Sequence, residues 1–434
     1  MSNIGHIYDC FLEVEQKIAT DTRKDVKDSL FICLSGENFN GNAFAQRASE
    51  LGAKYVVTTE TGNNAFITVE DPNQVLLDLS KHHASILKSK LIAIGGSNGK
   101  TTTKELISAV LSPSFKFQAT PGNFNNHIGV PLTLLSLPLD IEIGAIELGT
   151  NHPGEMRILC DLFKADIGVI TNIGKEHLEG FKDLESIARE ESELYLMLQR
   201  DNATATVNMD DHWLGNMSKR LNQIISYSLT SKDADLYLQI TQEMPQLHFE
   251  AFFKGESMGT FQSKIGGSYN AYNIAAAVAI GHFFGIVIPT AIDRCCAYEP
   301  NNNRSQWLTN EKGQQIFLDA YNANPSSMEL GLKSFSTIKG SKTILLGEML
   351  EMGSHSQSEH KAIFETAQNL GFEDIYLVGN EFKKAVPSYP FVFETAESML
   401  AWFDTHPVES EYIFIKGSRG IAMERSLDYF DLSV

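Results

Sequence analysis

Cysteine is scarce in this chain: five residues in 434, at positions 10, 33, 160, 295 and 296. None stands at CxxC or CxxH spacing, so neither a disulfide framework nor a zinc site is expected, and a reducing compartment is the default. Long apolar runs are missing as well. No stretch reaches the roughly 18 residues of a membrane span, and the start MSNIGHIYDC lacks the charged-then-apolar pattern of a signal peptide. Positive charge is in deficit, with 35 Lys and Arg against 54 Asp and Glu, a net charge of −19. A binder of duplex nucleic acid normally shows a basic face, and a protein held on anionic lipid needs one too, so both are excluded. Low-complexity linkers and repeats of period 20–50 are also absent. What remains is a soluble, acidic cytoplasmic protein. Its length exceeds the roughly 250–300 residues at which single cores stop growing, and about three domains are expected.

Periodicity divides the chain accordingly. Residues 1–88 alternate short apolar strands (29–34 and 54–58) with helices over 42–51 and 75–88, the first closed by Gly52. From Leu91 the pattern becomes strand, glycine loop, helix, with further strands over 142–148 and 167–173. Such βαβ alternation predicts buried parallel strands. Strand-like alternation resumes over 235–253, and a helix rich in small residues covers 270–284. After residues 301–304 a new α/β unit begins, with strands over 343–349, 375–379 and 412–418 and helices near 360–371 and 397–403. The expected fold is α/β with three domains: 1–88, a central P-loop-type parallel sheet over 89–311, and a C-terminal Rossmann-like unit over 312–434.

The strongest chemical signal is the loop GGSNGKT at 95–101, between an apolar strand and a helix. Glycines there let backbone N–H groups turn toward an anion, and the helix N-terminus adds positive potential. Gly96, Ser97, Asn98, Gly99 and Thr102 would line a nucleotide's phosphates, Lys100 would bridge them, and the Thr101 hydroxyl would ligate Mg²⁺. Ile94 stands where the longer form of the motif has its first glycine. A structural βα turn is the alternative.

Glu147 ends the second central strand, on the sheet edge where ligands of open α/β sheets collect, and is a candidate metal ligand. A surface acid ending a strand is the plainer reading. His177 lies just beyond the third strand on the same edge; as an isolated loop histidine it has an equally ordinary reading. In SIAREESELYLML, Ile187, Glu191, Leu194 and Leu198 share one helical face. A carboxylate on an apolar face needs a partner or a metal, whereas Glu190 and Glu193 are expected to be solvated.

At this point the residues resemble a known family, the ATP-dependent Mur ligases of peptidoglycan synthesis. DTR at 21–23 followed by SLFICLSGENFNGNAF resembles their uridine-nucleotide segment, with Asn42 where the family commonly has histidine. GGSNGKTTTKE, TPGNFNNHIGVP, ELGTNHPGEM and TNIGKEHLEGF resemble the ATP loop, the asparagine-rich loop and the two metal segments. GGSYNAYNIAAA, NNNRSQ, LDAYNANP, LLGEMLEMG and IFIKGSRG complete the likeness across nearly the whole chain.

The resemblance implies an ATP- and Mg²⁺-dependent amide ligase, acting as a monomer. Its substrates would be a UDP-N-acetylmuramoyl-tripeptide, bound by the first domain, and D-alanyl-D-alanine. Thr101, Glu147 and His177 would hold metal. Asn273 would contact adenine, Arg304 and Asp319 the nucleotide, and Lys100, His177, Glu191 and Arg304 would act in catalysis. Thr22, Arg23, Asn125, Asn126, Asn322, Asn324, Lys416 and Arg419 would bind the substrates. Asp319 has an alternative as a strand-end cap, Asn322 and Asn324 as turn formers, and Lys416 and Arg419 as solvated loop charges. The family's carbamylated lysine is replaced here by Glu191, which implies activity independent of bicarbonate. Hinges near 88–91 and 300–312 would close the domains over the acyl phosphate. A sibling ligase, a folylpolyglutamate synthetase-like enzyme, a P-loop switch and an inactive nucleotide binder are the competing readings. The absence of an NKxD sequence disfavours a GTP switch.

Overall fold

The computed structural model describes residues 4–36 and 38–432; Glu37, inside the uridine-like segment, lies outside them. The chain forms three α/β units, each around its own sheet. In the first, strands Ile18–Ala19, Leu30–Ile32, Tyr55–Thr58 and Phe66–Thr68 pair in parallel in that order. The helix Pro72–Ile86, begun by Asp71 as N-cap and Pro72, packs its Val75–Leu76–Leu79 stripe on that sheet. The same core admits Leu135, with Ile128 and Leu132 beside it, from the central unit's helix Gly129–Leu135, so the two units share apolar packing.

The central sheet has nine strands. Lys90–Gly95 lies between Ile167–Ile170 and Ile143–Glu147, all parallel, so three strand ends meet at one edge. The parallel order continues outward through Thr204–Asn208 and Gln223–Ser228. The region read as continuous alternation over 235–253 is two strands, Leu236–Gln242 and Leu247–Phe253, which pair antiparallel and are joined by Glu256–Ser263 to extend the sheet. Buried Val, Ile and Leu side chains fill both faces, as expected for strands covered by helices on each side. The helix Ser268–Phe283 is buried along almost its whole length, and its alanines let it pack closely beneath the sheet.

The third sheet runs Gln306–Thr309, Gln315–Asp319, Tyr412–Lys416, Lys342–Gly347, Asp374–Val378, Val392–Phe393. Only its first strand is antiparallel. That edge strand lies before residue 312, so the third unit begins earlier than the expected boundary. The polar sequence of 301–304 marks the connection, and Gln306–Thr309 gains its place only by pairing with Gln315–Leu318.

Two buried histidines brace the structure. The Nε2 of His83 meets the Leu137 carbonyl at 2.9 Å, which requires a proton there, and its Nδ1 accepts from the Tyr8 hydroxyl at 3.0 Å. This ties the first unit to the central one. In the third unit, His360 Nε2 accepts from the Met349 N–H at 2.9 Å while Nδ1 faces the Ser356 carbonyl at 2.7 Å. Burial lowers both pKa values below the usual 6.5. A depressed folded-state pKa means that stability is fully present above 6.5 and is lost as pH falls, because only the unfolded chain takes up the proton. The thermal midpoint should therefore drop between pH 6.5 and about 5. His83→Gln, measured by calorimetry across that range, should flatten part of the fall; an unchanged slope would show that His83 is not one of the groups responsible.

Candidate functional site

The loop after Lys90–Gly95 is shaped by hydrogen bonds to the segment after Ile167–Ile170. The Ser97 N–H donates to the Asn172 carbonyl at 2.9 Å, and the Thr171 hydroxyl and Asn172 amide donate to the Asn98 carbonyl at 2.6 and 2.8 Å. Gly96 and Gly99 have φ of +110° and +82°. A Cβ on Gly96 would strike the Thr171 hydroxyl, and one on Gly99 would lie 2.5 Å from Asn273 Oδ1. Only glycine suits either position. Gly99 is the N-cap of the helix Lys100–Leu111, whose first turn holds Lys100, Thr101 and Thr102.

The Lys100 ammonium donates to the Gly96 carbonyl and stands 3.7 Å from Glu176. Burial by itself would lower its pKa, but the nearby carboxylates of Glu176, Glu191 and Glu147 outweigh that and hold it above the usual lysine value. Lys100 therefore stays charged. Burial raises the Glu176 carboxyl despite the opposing Lys100 and His177. Glu176 was not singled out from sequence; its position next to His177 in TNIGKEHLEGF was the only available signal.

Glu147 is buried at the end of its strand, so it is not the surface acid of the plainer reading. Its Oε1 accepts from the Thr101 hydroxyl at 3.2 Å and from the Asn125 amide at 3.0 Å, while Oε2 has no hydrogen bond. Lys104, itself buried and bound to the carbonyls of Thr120 and Gly122 at 2.7 and 2.8 Å, lies 4.0 Å from Oε2. An orphaned carboxylate oxygen beside a hydroxyl suits a hard divalent cation, so Thr101 and Glu147 fit Mg²⁺. His177 has φ of +44°. Its Nδ1 lies 2.5 Å from Glu351 of the third unit, and its Nε2 lies 3.7 Å from Glu176. Among the described residues no three acidic, histidine or cysteine side chains form a ready cation cage. A metal at His177 would thus need phosphate or substrate oxygens as ligands, which is usual for Mg²⁺.

The third unit closes this edge. Asn324 caps the helix Pro325–Ser336 and donates to Asn98 Oδ1 at 2.8 Å. The Lys175 N–H donates to the Ser326 hydroxyl at 2.8 Å, and its ammonium pairs with Glu359 at 2.7 Å. One cavity of about 590 Å³ lies between the units. Of the residues expected at the site, all line it except Thr22, Arg23, Gly96 and Glu191. Arg304 stacks on Tyr321 from the end of the central unit, with its Nε buried and unbonded. Asn273 accepts from the Thr103 hydroxyl at 3.2 Å beside Gly99. Asn126 caps the helix Gly129–Leu135 by accepting from the Gly129 N–H at 2.9 Å, and the exposed Asn322 faces the cavity. Thr22 and Arg23 sit in the first unit, where Arg23 forks onto Asp21 at 2.9 and 2.8 Å and holds that carboxyl down to about 2. Asn42, at the position where the family commonly has histidine, is buried, and its Oδ1 accepts from the Thr58 hydroxyl and the Thr59 N–H at 2.9 and 2.8 Å.

Three expectations are corrected. Lys416 is not a solvated loop charge: it is buried in the cavity wall and paired with Asp319 at 2.5 Å, its partner across the parallel strands. Glu190 is not solvated; it accepts from the Gly154 and Met156 N–H groups at 2.8 and 2.7 Å, pinning the start of the helix Glu155–Cys160. Glu191 does lie on the apolar face, but beneath the phosphate loop, where Oε2 accepts from the Gly96 N–H at 2.7 Å and Oε1 has no partner. Burial pushes its pKa up to about 8, against the opposing charge of Lys100. A pKa raised this far favours the protonated carboxyl at neutral pH.

Comparison with known proteins places this geometry. Residues 94–281 match the Mur ligase middle domain, and residues 303–418 match the Mur ligase, glutamate ligase domain. The chain is 33% identical to the UDP-N-acetylmuramoyl-tripeptide--D-alanyl-D-alanine ligase of Bacillus subtilis, covering 94% of this chain and 91% of that protein. It superposes on MurF from Acinetobacter baumannii with a TM-score of 0.87 at 26% identity, covering 96% and 93% of the two chains. MurF ligase from Thermotoga maritima, solved in complex with ADP, shares the fold at a TM-score of 0.87 and 22% identity, over 99% and 98%.

The raised pKa of Glu191 has a testable consequence. Stability is fully present below the usual 4.5 and is lost as pH rises through about 8, because the unfolded chain ionises first. Glu191→Gln should gain thermal stability over the unmodified protein progressively from pH 5 to about 9. A difference between the two that does not change with pH would contradict the protonated assignment.

Proposed function

The chain belongs to the Mur ligase family, and from that premise we propose that it joins D-alanyl-D-alanine to UDP-N-acetylmuramoyl-tripeptide at the expense of ATP. The observation that carries this reading is the cavity of about 590 Å³ between the units. It brings the phosphate-loop lysine, a strand-end carboxylate with an orphaned oxygen, and two arginines from the junction and the third unit within reach of one bound ligand set.

The tripeptide carboxylate oxygen attacks the γ-phosphorus of ATP, the bond to the bridging oxygen breaks, and ADP leaves with the electron pair. The dipeptide's ammonium first gives one proton to solvent; the neutral amine then attacks the acyl carbon, the bond from that carbon to the phosphate oxygen breaks, a second proton leaves with the phosphate as HPO4²⁻, and the amide nitrogen keeps one hydrogen. Both steps bring anions together, so charge neutralisation and positioning dominate the problem. Lys100 is buried and held charged, and moves from the Gly96 carbonyl onto the phosphates when these displace it. The loop N–H groups and the N-terminus of Lys100–Leu111 cradle the same phosphates. Mg²⁺, held by Thr101 and Glu147 and approached by His177 and Glu176, would supply further neutralisation at the transferred group. Arg304 faces the nucleotide, and Asn273 beside Gly99 faces its base. Arg419 receives the dipeptide carboxylate, with Lys416, held by Asp319, in the cavity wall beside it. Asn125 orients Glu147, while Asn126, Asn322 and Asn324 shape the walls through which the peptide enters.

Glu191 supports the loop from below. Lys100 opposes the burial that raises the Glu191 pKa, so a phosphate that draws the lysine away keeps the carboxyl protonated and adds no negative charge beside the nucleotide. No CO₂ is needed for that role, so activity is independent of bicarbonate. Thr22 and Arg23 are positioned for the uridine nucleotide on the first unit. Among the described residues no helix is long and apolar enough to cross a membrane; action as a monomer in the cytoplasm is part of the proposed reading.

The test is phosphate release from ATP. It should require UDP-N-acetylmuramoyl-tripeptide and D-alanyl-D-alanine together, depend steeply on magnesium, and fall about 10²–10³-fold in Lys100→Ala. Release with a single L-amino acid as acceptor would assign the chain to a sibling reaction, and no release with any pair would overturn the reading.

A further inference from the structure

One aromatic ring in the cleft carries two guanidinium groups. The Arg304 Cζ lies 3.7 Å from the centroid of Tyr321, and the Arg419 Cζ lies 5.3 Å from it. Arg304 ends the central unit, whereas Arg419 follows the strand Tyr412–Lys416 of the third, so the ring joins groups from two units. Among the described residues neither guanidinium has a carboxylate within 4.0 Å. In a chain of net charge −19, two unpaired arginines beside one cavity are conspicuous. Asp319, which also lines the cavity, is already paired with Lys416.

The backbone fixes the ring where it is. The Tyr321 N–H donates to the Asn303 carbonyl at 3.1 Å, and the Ser305 N–H donates to Asp319 Oδ1 at 3.2 Å. The connection that carries Arg304 is thereby tied to the strand end that carries Tyr321. A guanidinium stacked on an aromatic face keeps its in-plane N–H edge free, and that edge is the part that grips phosphate or carboxylate with two parallel hydrogen bonds. The stack also replaces the carboxylate partner that would otherwise neutralise the charge.

We propose that Tyr321 is a positioning residue that holds both arginines at once, presenting Arg304 to the nucleotide phosphates and Arg419 to the carboxylate of the acceptor. The second half rests on the ligase reading above; the first does not. Tyr321 thereby sets the spacing between the two anions that the reaction must bring together, and it does so without touching a reacting atom.

Double-mutant cycles test this. Binding of a non-hydrolysable ATP analogue, followed by calorimetry, should weaken about fivefold in Tyr321→Leu, from the strength of a partly desolvated cation–π contact. In an Arg304→Ala background the same change should cost nothing further. The KM for D-alanyl-D-alanine should likewise rise about fivefold in Tyr321→Leu and not rise further when Arg419 is already alanine. Tyr321→Phe, which keeps the ring, should restore most of the nucleotide loss, a rescue that a merely structural role for the hydroxyl would not give, and less of the KM loss, because the Arg419 guanidinium also donates to the Tyr321 hydroxyl at 3.4 Å. If the leucine variant fails to fold, Tyr321→Met serves the same cycles. Equal losses in both backgrounds, or no loss in either, would overturn the proposal. Should the unmodified protein prove inactive with D-alanyl-D-alanine, the ligase reading fails, while the nucleotide cycle still decides whether Tyr321 positions Arg304.

Discussion

The phosphate loop of this protein does not hold its own shape. Its carbonyls and N–H groups are bonded to residues 171–174, the continuation of the neighbouring parallel strand: Ser97 to Asn172 and Gly174, Asn98 to Thr171 and Asn172. That pairing depends on the register of Lys90–Gly95 against Ile167–Ile170, which the buried core sets. The segment then runs on through Lys175, Glu176 and His177, which meet Ser326, Lys100 and Glu351 respectively. One continuous stretch of backbone therefore couples the central core, the anion-binding loop and the docked third unit. Loosening it at any point would move the others.

Charge follows the same line. An acidic chain that binds polyanions must keep most of its surface repulsive to them and place a few cations with care. Lys100 is buried among carboxylates that keep it charged, and Lys104 is spent on backbone carbonyls behind Glu147. Lys416 is neutralised by Asp319, and Arg304 and Arg419 rest on an aromatic ring. The free positive charge left facing the cleft is small, which is why divalent cations held by Thr101 and Glu147 have a natural place in the reading. Glu191, whose raised pKa favours the protonated carboxyl, spares the site one more negative charge.

Local strings carried much of this. The glycine loop, Glu147 and His177 were legible because each sits at the end of a strand whose apolar pattern is unmistakable, and parallel strands bring their ends to one edge. The apolar placement of Glu191 followed from helical spacing alone. What escaped was tertiary. Glu190 looked solvated because nothing in its own helix reveals that Gly154 and Met156 present unsatisfied N–H groups to it. Lys416 looked free because its pairing with Asp319 comes from strand register between segments almost a hundred residues apart. Glu351 and Tyr321 were invisible as partners of His177 and the arginines, since these contacts exist only across docked units. The edge strand Gln306–Thr309 was missed for the same reason: a four-residue polar-flanked run becomes a strand only beside its neighbour.

The central claim is that docking of the third unit completes the anion site through residues 171–177. Glu359 pairs with Lys175 but lies outside the cavity, so a charge reversal there attacks docking and no ligand contact. Calorimetric affinity for an ATP analogue, measured on Glu359→Lys alongside the radius of gyration from small-angle scattering, tests it most directly. A larger radius together with an affinity reduced about tenfold or more is the predicted result. A larger radius with unchanged affinity would show that the loop and the third unit are independent, and would contradict the account.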